Sequence, residues 1–438
     1  MQTSPASAPQ ATPLERHLSL TVPAVEIESE INTRLRKLAK TVKMQGFRPG
    51  KVPLAMVAKQ YGYQVRQEVV TDTVHKSFSE AVRANNYRVA GNARFAPANS
   101  GQNADKFEFT ATFEVYPEVE IGSLAGKKLT KPVAEVSEKE VDNTLNTLRK
   151  QRATFDKVER AAETGDFVVI DFAGKIDGVP FQGGSAENFG VVLGEKRMLP
   201  DFEAALAGMK QGDAKTFDLK FPADYNPELA GKTAQFDVTV KLVNAPKLPE
   251  IDAEFAKNLG VADGDITKMR DEIKHNLERE AKKRIQAKVK DQVMDALIEV
   301  SKLDVPRSLI EVEVGRLQEG AKQDLEARGM TTKDLSLPAE LFAERAERRV
   351  KLGLILAELV KRNELFAKPE QVRTVIEEIA DSYEQPQQMV RWYYSQPERV
   401  AEVEALVAED NVVEWVSKQM DVATDKVEFD QLMGIERT

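Results

Sequence analysis

From Arg34 to Lys59 eight side chains are basic (Arg34, Arg36, Lys37, Lys40, Lys43, Arg48, Lys51 and Lys59) and none is acidic. Residues 1–60 hold nine basic and four acidic side chains, a net +5; the whole chain of 438 residues has a formal net charge of −9, so the other 378 sum to −14. A basic tip on an acidic chain is the footprint of contact with a polyanion. At its centre stands Gly46-Phe47-Arg48-Pro49-Gly50-Lys51-Val52-Pro53. The glycines and prolines present Phe47 at a turn, flanked by Arg48 and Lys51. An exposed aromatic beside cations suits a surface of protein and RNA, where charge steers and the ring anchors. On charge alone, a solvated helix face accounts for the run equally well.

Other chemistries lose support. The chain has no cysteine, which removes disulfides, thiolate catalysis, thiolate zinc sites and iron–sulfur ligation together. Cysteine-free composition fits a reducing cytosol. The three histidines, His17, His75 and His275, are far apart, without metal-ligand spacing, and read as surface or helix-flank residues. HExxH, GxSxG, Walker and GxGxxG patterns are missing, so no metal and no cofactor is expected. The leading residues MQTSPASAPQATPLERH have no basic and apolar signal pattern, and 1–12 read as a disordered leader. No stretch approaches the roughly 18 uncharged apolar residues that span a membrane. Neither a membrane nor DNA is expected as a partner.

The elements that carry the basic run read as α+β. Leu18, Leu20 and Val22 alternate as in a half-buried strand. Ile27, Ile31, Leu35, Leu38 and Val42 line one helical face, and a second helix is predicted from about Val65 to Ala84. Phe107 to Val115 is a period-two strand. A helix from Ser137 to Phe155 opens on a Ser137/Glu140 capping box. Residues 163–245 turn to strands: Phe167–Ile176, Thr216–Phe221 and Gln235–Leu242, with a turn at Asp177-Gly178 and one short helix over Pro200–Ala207. From about Leu248 the chain reads as nearly all helix, broken at Val305-Pro306, with further helices near 307–328, 338–363, 369–384 and 397–420. Heptads are not kept, so antiparallel long helices are preferred to a coiled-coil rod.

Three sets of residues resemble known proteins. Gly46-Phe47-Arg48-x-Gly50-Lys51-x-Pro53 resembles the ribosome-docking signature of the bacterial trigger factor family. The resemblance implies contact with a large-subunit protein at the tunnel exit and with nearby rRNA, through Gly46, Phe47, Arg48, Pro49, Gly50 and Lys51. Many members have lysine where this chain has Pro49, which leaves Lys51 to supply the charge. Gly165-Asp166-x-Val168-x-Ile170-Asp171-Phe172-x-Gly174, Asp177-Gly178-x-x-Phe181, Leu193-Gly194, and Met198-Leu199-Pro200-x-Phe202-Glu203 through Gly212 are similar to FKBP-type prolyl isomerases. Phe236-Asp237-Val238-x-Val240 closes that module. The resemblance implies a pocket lined by Phe172, Phe181, Phe189, Met198, Leu199, Phe202, Tyr225 and Phe236, with the family's backbone donor at Leu199. Small FKBPs have aspartate at the position of Gln182 and tryptophan at that of Phe202. Such a pocket suits amide rotation, whose barrier of about 18–20 kcal/mol comes from lost resonance. Taking water off the carbonyl favours the less polar twisted amide, and nothing covalent is needed. Without the resemblance, the same aromatics read as the core of a small β-domain.

Val305-Pro306-x-x-Leu309-Ile310, Met389-Val390-x-x-Tyr393-Tyr394 and Phe429-Asp430-Gln431-Leu432-Met433 resemble the C-terminal part of trigger factors. Periodicity by itself would fit an ordinary helical bundle. The expected fold class is α+β multidomain: after the leader, an α+β ribosome-binding domain over 13–117 and a linker with helical segment over 118–159. An FKBP-like antiparallel β-sheet domain with a short helix follows over 160–247, then a long-helix chaperone domain with arms over 248–438. The expected function is a cytoplasmic, ATP-independent chaperone at the ribosome. It holds nascent and unfolded polypeptides, isomerises X–Pro bonds and forms a weak homodimer off the ribosome. The alternative is a free-standing FKBP-type isomerase that self-associates through its helices.

Overall fold

The computed structural model describes residues 13–45, 47, 50–98, 106–223, 225–226, 229–332, 335–381, 383 and 385–435. In chain order come β1 (Glu15–Pro23), α1 (Ala24–Thr41), α2 (Leu54–Ala84), β2 (Val89–Pro97), β3 (Lys106–Val115), β4 (Glu120–Ile121) and β5 (Lys128–Val133). A helix, α3 (Glu138–Gln151), leads into β6 (Thr154–Lys157), β7 (Phe167–Ile176), β8 (Val179–Val192), α4 (Pro200–Leu206), β9 (Ala214–Lys220) and β10 (Thr233–Lys247). The remainder is mostly helical: α5 (Ala253–Asn258), α6 (Ile266–Val300), β11 (Ser301–Lys302), α7 (Arg307–Ala327) and α8 (Glu340–Asn363). It ends with α9 (Pro369–Ala380), α10 (Pro386–Tyr394), α11 (Pro397–Ser417), β12 (Asp421–Lys426) and α12 (Phe429–Met433). These form two compact units. The first takes the described residues of Met1–Lys131 with Ala287–Thr424, the second those of Pro132–Gln286 with Asp425–Thr438, and the boundary passes within α6.

In the first unit β3 lies between β1 and β2 in an antiparallel sheet. The register sets Leu18 opposite Ala111, Leu20 opposite Phe109 and Val22 opposite Phe107, so the apolar faces of the two alternating strands coincide. α1 and α2 share a core of Ile27, Leu35, Val57, Val65 and Val69 with Val22 and Val52. α2 starts eleven residues earlier than the spacing predicts. Pro53 sits at its N-cap, and Gly62 lies inside the helix with Val57 fully buried before it. A second core in this unit joins Val293 and Leu297 of α6, Ile355 and Leu359 of α8, and Val412 and Val416 of α11. α7 and α8 run antiparallel, tied by Glu313 to Arg349 at 2.8 Å and by the Gln318 amide to the Leu337 carbonyl at 2.7 Å.

In the second unit the sheet runs β6-β10-β7-β8, with β9 also paired to β10. Val168, Ile170, Val191, Val238 and Val240 face inward together with Phe202 and Leu206 of α4. β8 lies beyond the predicted strands: Gly183-Gly184 and Asn188 interrupt its alternation, and it pairs with β7 through two register shifts. α3 ends at Gln151, earlier than predicted, and Phe155 lies in β6. The capping box forms, with the Ser137 N–H donating to Glu140 Oε2 at 2.9 Å. Helices and antiparallel sheets together give the expected α+β class. No helix among the described residues is long and apolar enough to cross a membrane.

Candidate functional site

Six phenylalanines of the second unit, from five elements, meet in one cluster. Phe172 stands on β7, Phe181 and Phe189 on β8, Phe202 on α4, Phe217 on β9 and Phe236 on β10. Phe236 is the hub. Its ring centroid lies 5.3 Å from Phe202, 6.1 Å from Phe172, 6.2 Å from Phe181 and 6.1 Å from Phe217. Phe172 meets Phe189 and Phe202 edge-on, both at 5.7 Å. Edge-to-face packing at such distances places ring edges on ring faces, the arrangement that the aromatic quadrupole favours.

A glycine makes room for the hub. The register puts Phe236 opposite Gly174, and a Cβ at Gly174 would lie 2.5 Å from Phe236 Cε1. Only a residue without a side chain lets the ring lie across β7.

Exposure grades outward. Phe202 and Phe236 are buried, Phe172, Phe181, Met198 and Leu199 are half-buried, and Phe189 and Tyr225 are 37% and 44% exposed. The set therefore has a closed floor and an open rim. Met198 and Leu199 pack on the same core. Of the eight residues carried over from sequence, five touch ring to ring. Tyr225 reaches them through Phe221, on which it stacks at 5.0 Å, and Phe221 in turn meets Phe181 at 6.0 Å. Phe217 and Phe221 were missed. Their signal was present: Phe217, Leu219 and Phe221 alternate along the predicted Thr216–Phe221 strand, which sets all three on one face.

No group of three or more His, Asp or Glu side chains that could hold a metal occurs among the described residues. What the cluster offers is an apolar wall beside the main chain of Met198 and Leu199. That suits a neutral substrate whose reaction is a bond rotation.

In the first unit the basic run is helix, loop and helix rather than one loop. Arg34, Arg36, Lys37 and Lys40 lie on α1 and Lys59 on α2. Arg34 is not free for a partner: it pairs with Asp72 at 2.7 Å and Glu30 at 3.2 Å, and those hydrogen bonds push its guanidinium pKa further up. Between the helices, Phe47 is exposed and its N–H donates to the Met44 carbonyl at 3.1 Å. Lys51 is exposed next to the buried Val52, which anchors the loop's return. Gly50 has φ +80°, a backbone region that favours glycine. Gly46, Arg48 and Pro49 of the docking set lie outside the described residues.

An antiparallel sheet packed on a short helix, with aromatic side chains meeting between them, is the architecture expected of the FKBP class. A profile of FKBP-type peptidyl-prolyl cis-trans isomerases matches residues 158–241. Profiles of the bacterial trigger factor protein and of its C-terminus match residues 6–148 and 265–418. The trigger factor of Aromatoleum aromaticum is 53% identical over 422 residues, 96% of this chain and 97% of the relative. That of Nitrosospira multiformis is 53% identical over 423 residues, covering 96% and 97%, and one from Burkholderia mallei is 54% identical over 432, covering 96% of both. The chain belongs to the bacterial trigger factor family. It is a ribosome-associated chaperone with peptidyl-prolyl cis-trans isomerase activity. The free-standing isomerase is set aside, since the N-terminal match includes the basic loop and the C-terminal match the long helices.

Proposed function

We propose that the hollow of Phe172, Phe181, Phe189, Met198, Leu199, Phe202, Tyr225 and Phe236 is the isomerase site. The observation that carries this reading is the grading of one aromatic cluster from the buried Phe202 and Phe236 to the exposed Phe189 and Tyr225. The exposed Phe189 and Tyr225 give a peptide access to the cluster from solvent. The X–Pro amide enters against Phe172 and Phe236, sheds water from its carbonyl and turns with nothing covalent formed. The Leu199 main chain offers a hydrogen bond to the twisted form.

The docking site is the loop Gly46-Phe47-Arg48-Pro49-Gly50-Lys51, with rRNA phosphates beside it. The exposed Phe47 and Lys51 and the acid-free run on both sides support this. Polypeptide is held on exposed apolar side chains on and between the helices, among them Met330, Leu341, Phe366, Trp392 and Tyr394. The division of labour follows 13–117 for docking, 160–247 for isomerisation, and 118–159 with 248–438 for holding chains. The protein works in the cytoplasm and pairs weakly with a second copy when off the ribosome.

Phe189→Ala and Tyr225→Ala test the pocket better than a floor residue does, because loss of the buried Phe202 ring would cost the module about 3–5 kcal/mol and confuse folding with catalysis. Both rim variants are expected to lower turnover of a proline-containing peptide about tenfold while still pelleting with ribosomes. Wild-type turnover in both would remove the pocket assignment.

A further inference from the structure

Glu203 is a buried carboxylate in the first turns of α4, next in sequence to the floor residue Phe202. Burying such a group is costly unless hydrogen bonds replace its water. Its two oxygens reach back to the loop that enters the helix. Oε2 accepts from the Gly194 N–H at 2.9 Å, and Oε1 from the Met198 N–H at 3.2 Å. Both donors are main-chain amides, one at each end of the loop 194–198, so a single carboxylate closes it. The loop depends on that closure: Gly194 has φ +93° and Lys196 φ +57°. A Cβ at Gly194 would lie 2.5 Å from Thr164 Cγ2, so no larger residue fits there. On the other side, the Leu199 carbonyl accepts from the N–H groups of Phe202 and Glu203 at 2.8 and 3.1 Å. The Met198–Leu199 peptide is thus held between the Glu203 carboxylate and the first turn of α4.

We infer that Glu203 is a positioning residue for isomerisation, fixing the Met198–Leu199 main chain at the wall of the hollow where the twisted amide is held. This rests on the pocket reading above. Rotation gains from a main-chain donor only if that donor stands ready at the twisted carbonyl, and a displacement of about 1 Å costs on the order of 10²-fold in rate. A merely structural carboxylate would change stability and leave the turnover of folded protein alone.

The test uses the full chain with Glu203→Gln. Glutamine accepts from one of the two amides, while its NH2 group faces the other donor. On a proline-containing tetrapeptide, kcat is expected to fall about tenfold with KM near wild type, the pattern of an interaction made in the transition state. Circular dichroism at the assay temperature should match wild type. Wild-type kcat in the folded variant, or a change confined to KM, overturns the inference. Phe189→Ala is run alongside: if it loses turnover while Glu203→Gln does not, the positioning role alone fails. If both keep full turnover, the pocket reading fails with it. Should Glu203→Gln not fold, amide exchange in the wild-type protein decides. The Gly194 and Met198 amides are expected to be as protected as those within β7, and free exchange at either overturns the role.

Discussion

At Asp166 a carboxylate only 1% exposed accepts from Arg160 Nη1 at 2.6 Å, Arg160 Nη2 at 2.9 Å and the Glu163 N–H at 2.9 Å. Burial alone would raise its pKa. The hydrogen bonds from Arg160 and Glu163 and the guanidinium charge outweigh burial and hold it below the ordinary aspartate value. A group depressed in the folded state adds stability above its unfolded pKa of about 3.9 and loses it as pH falls through the folded value. Arg160→Met should therefore destabilise the second unit at pH 7, leaving the buried Asp166 carboxylate with the Glu163 N–H alone of these three donors. That deficit should shrink as pH drops below the carboxylate range, since the wild type then loses the same contribution. Thermal melts at pH 7 and near pH 3 measure it, and a deficit that does not change with pH would contradict the assignment. At this scale the sequence was legible where a residue type is itself the signal. Phe172, Phe202 and Phe236 could be placed by resemblance and stand together. Glu203 could not be weighed, because its bonds go to main-chain amides that leave no mark on residue type.

Elements were legible where periodicity ran long enough and failed where turn-forming residues sit inside regular structure. α1, α3, β3, β7 and the long α6 were readable from apolar spacing. β2 was missed because its Gly91-Asn92 lies at a register shift between Ala90 and Arg94. β8 hid behind its glycines in the same way. α10 has only nine residues, too few for its apolar positions Val390 and Tyr393, which pack on α9 and α11, to show as a helical period. The borrowed cap of α7 was also invisible: the Ser308 N–H and Oγ both donate to Glu114 Oε2 at 2.7 Å, from a strand 194 positions away. Local caps are different, because both partners lie within one turn. Ser137→Ala removes the box that starts α3, where Glu140, held mainly by the Ser137 hydroxyl, has a lowered pKa. The substitution is expected to cost about 1 kcal/mol, read from denaturant unfolding of the second unit. A change within a few tenths of a kcal/mol would mean that packing of Val141 and Leu145 alone sets that helix.

Across the whole chain, charge is unevenly placed. The first 60 residues are net positive on a protein of net charge −9. Anionic RNA favours the one and repels the other, so a single end should lead when the molecule meets a ribosome. The central claim is that this end docks through Phe47 and its flanking cations. It is tested most directly by co-sedimentation with 70S ribosomes at low and moderate salt, comparing wild type with Phe47→Ala/Arg48→Ala. Wild type is expected to pellet, less so as salt rises, and the double variant to stay in the supernatant while keeping full prolyl isomerase turnover. Equal pelleting of the two proteins would contradict the account and leave the basic run as a solvated face.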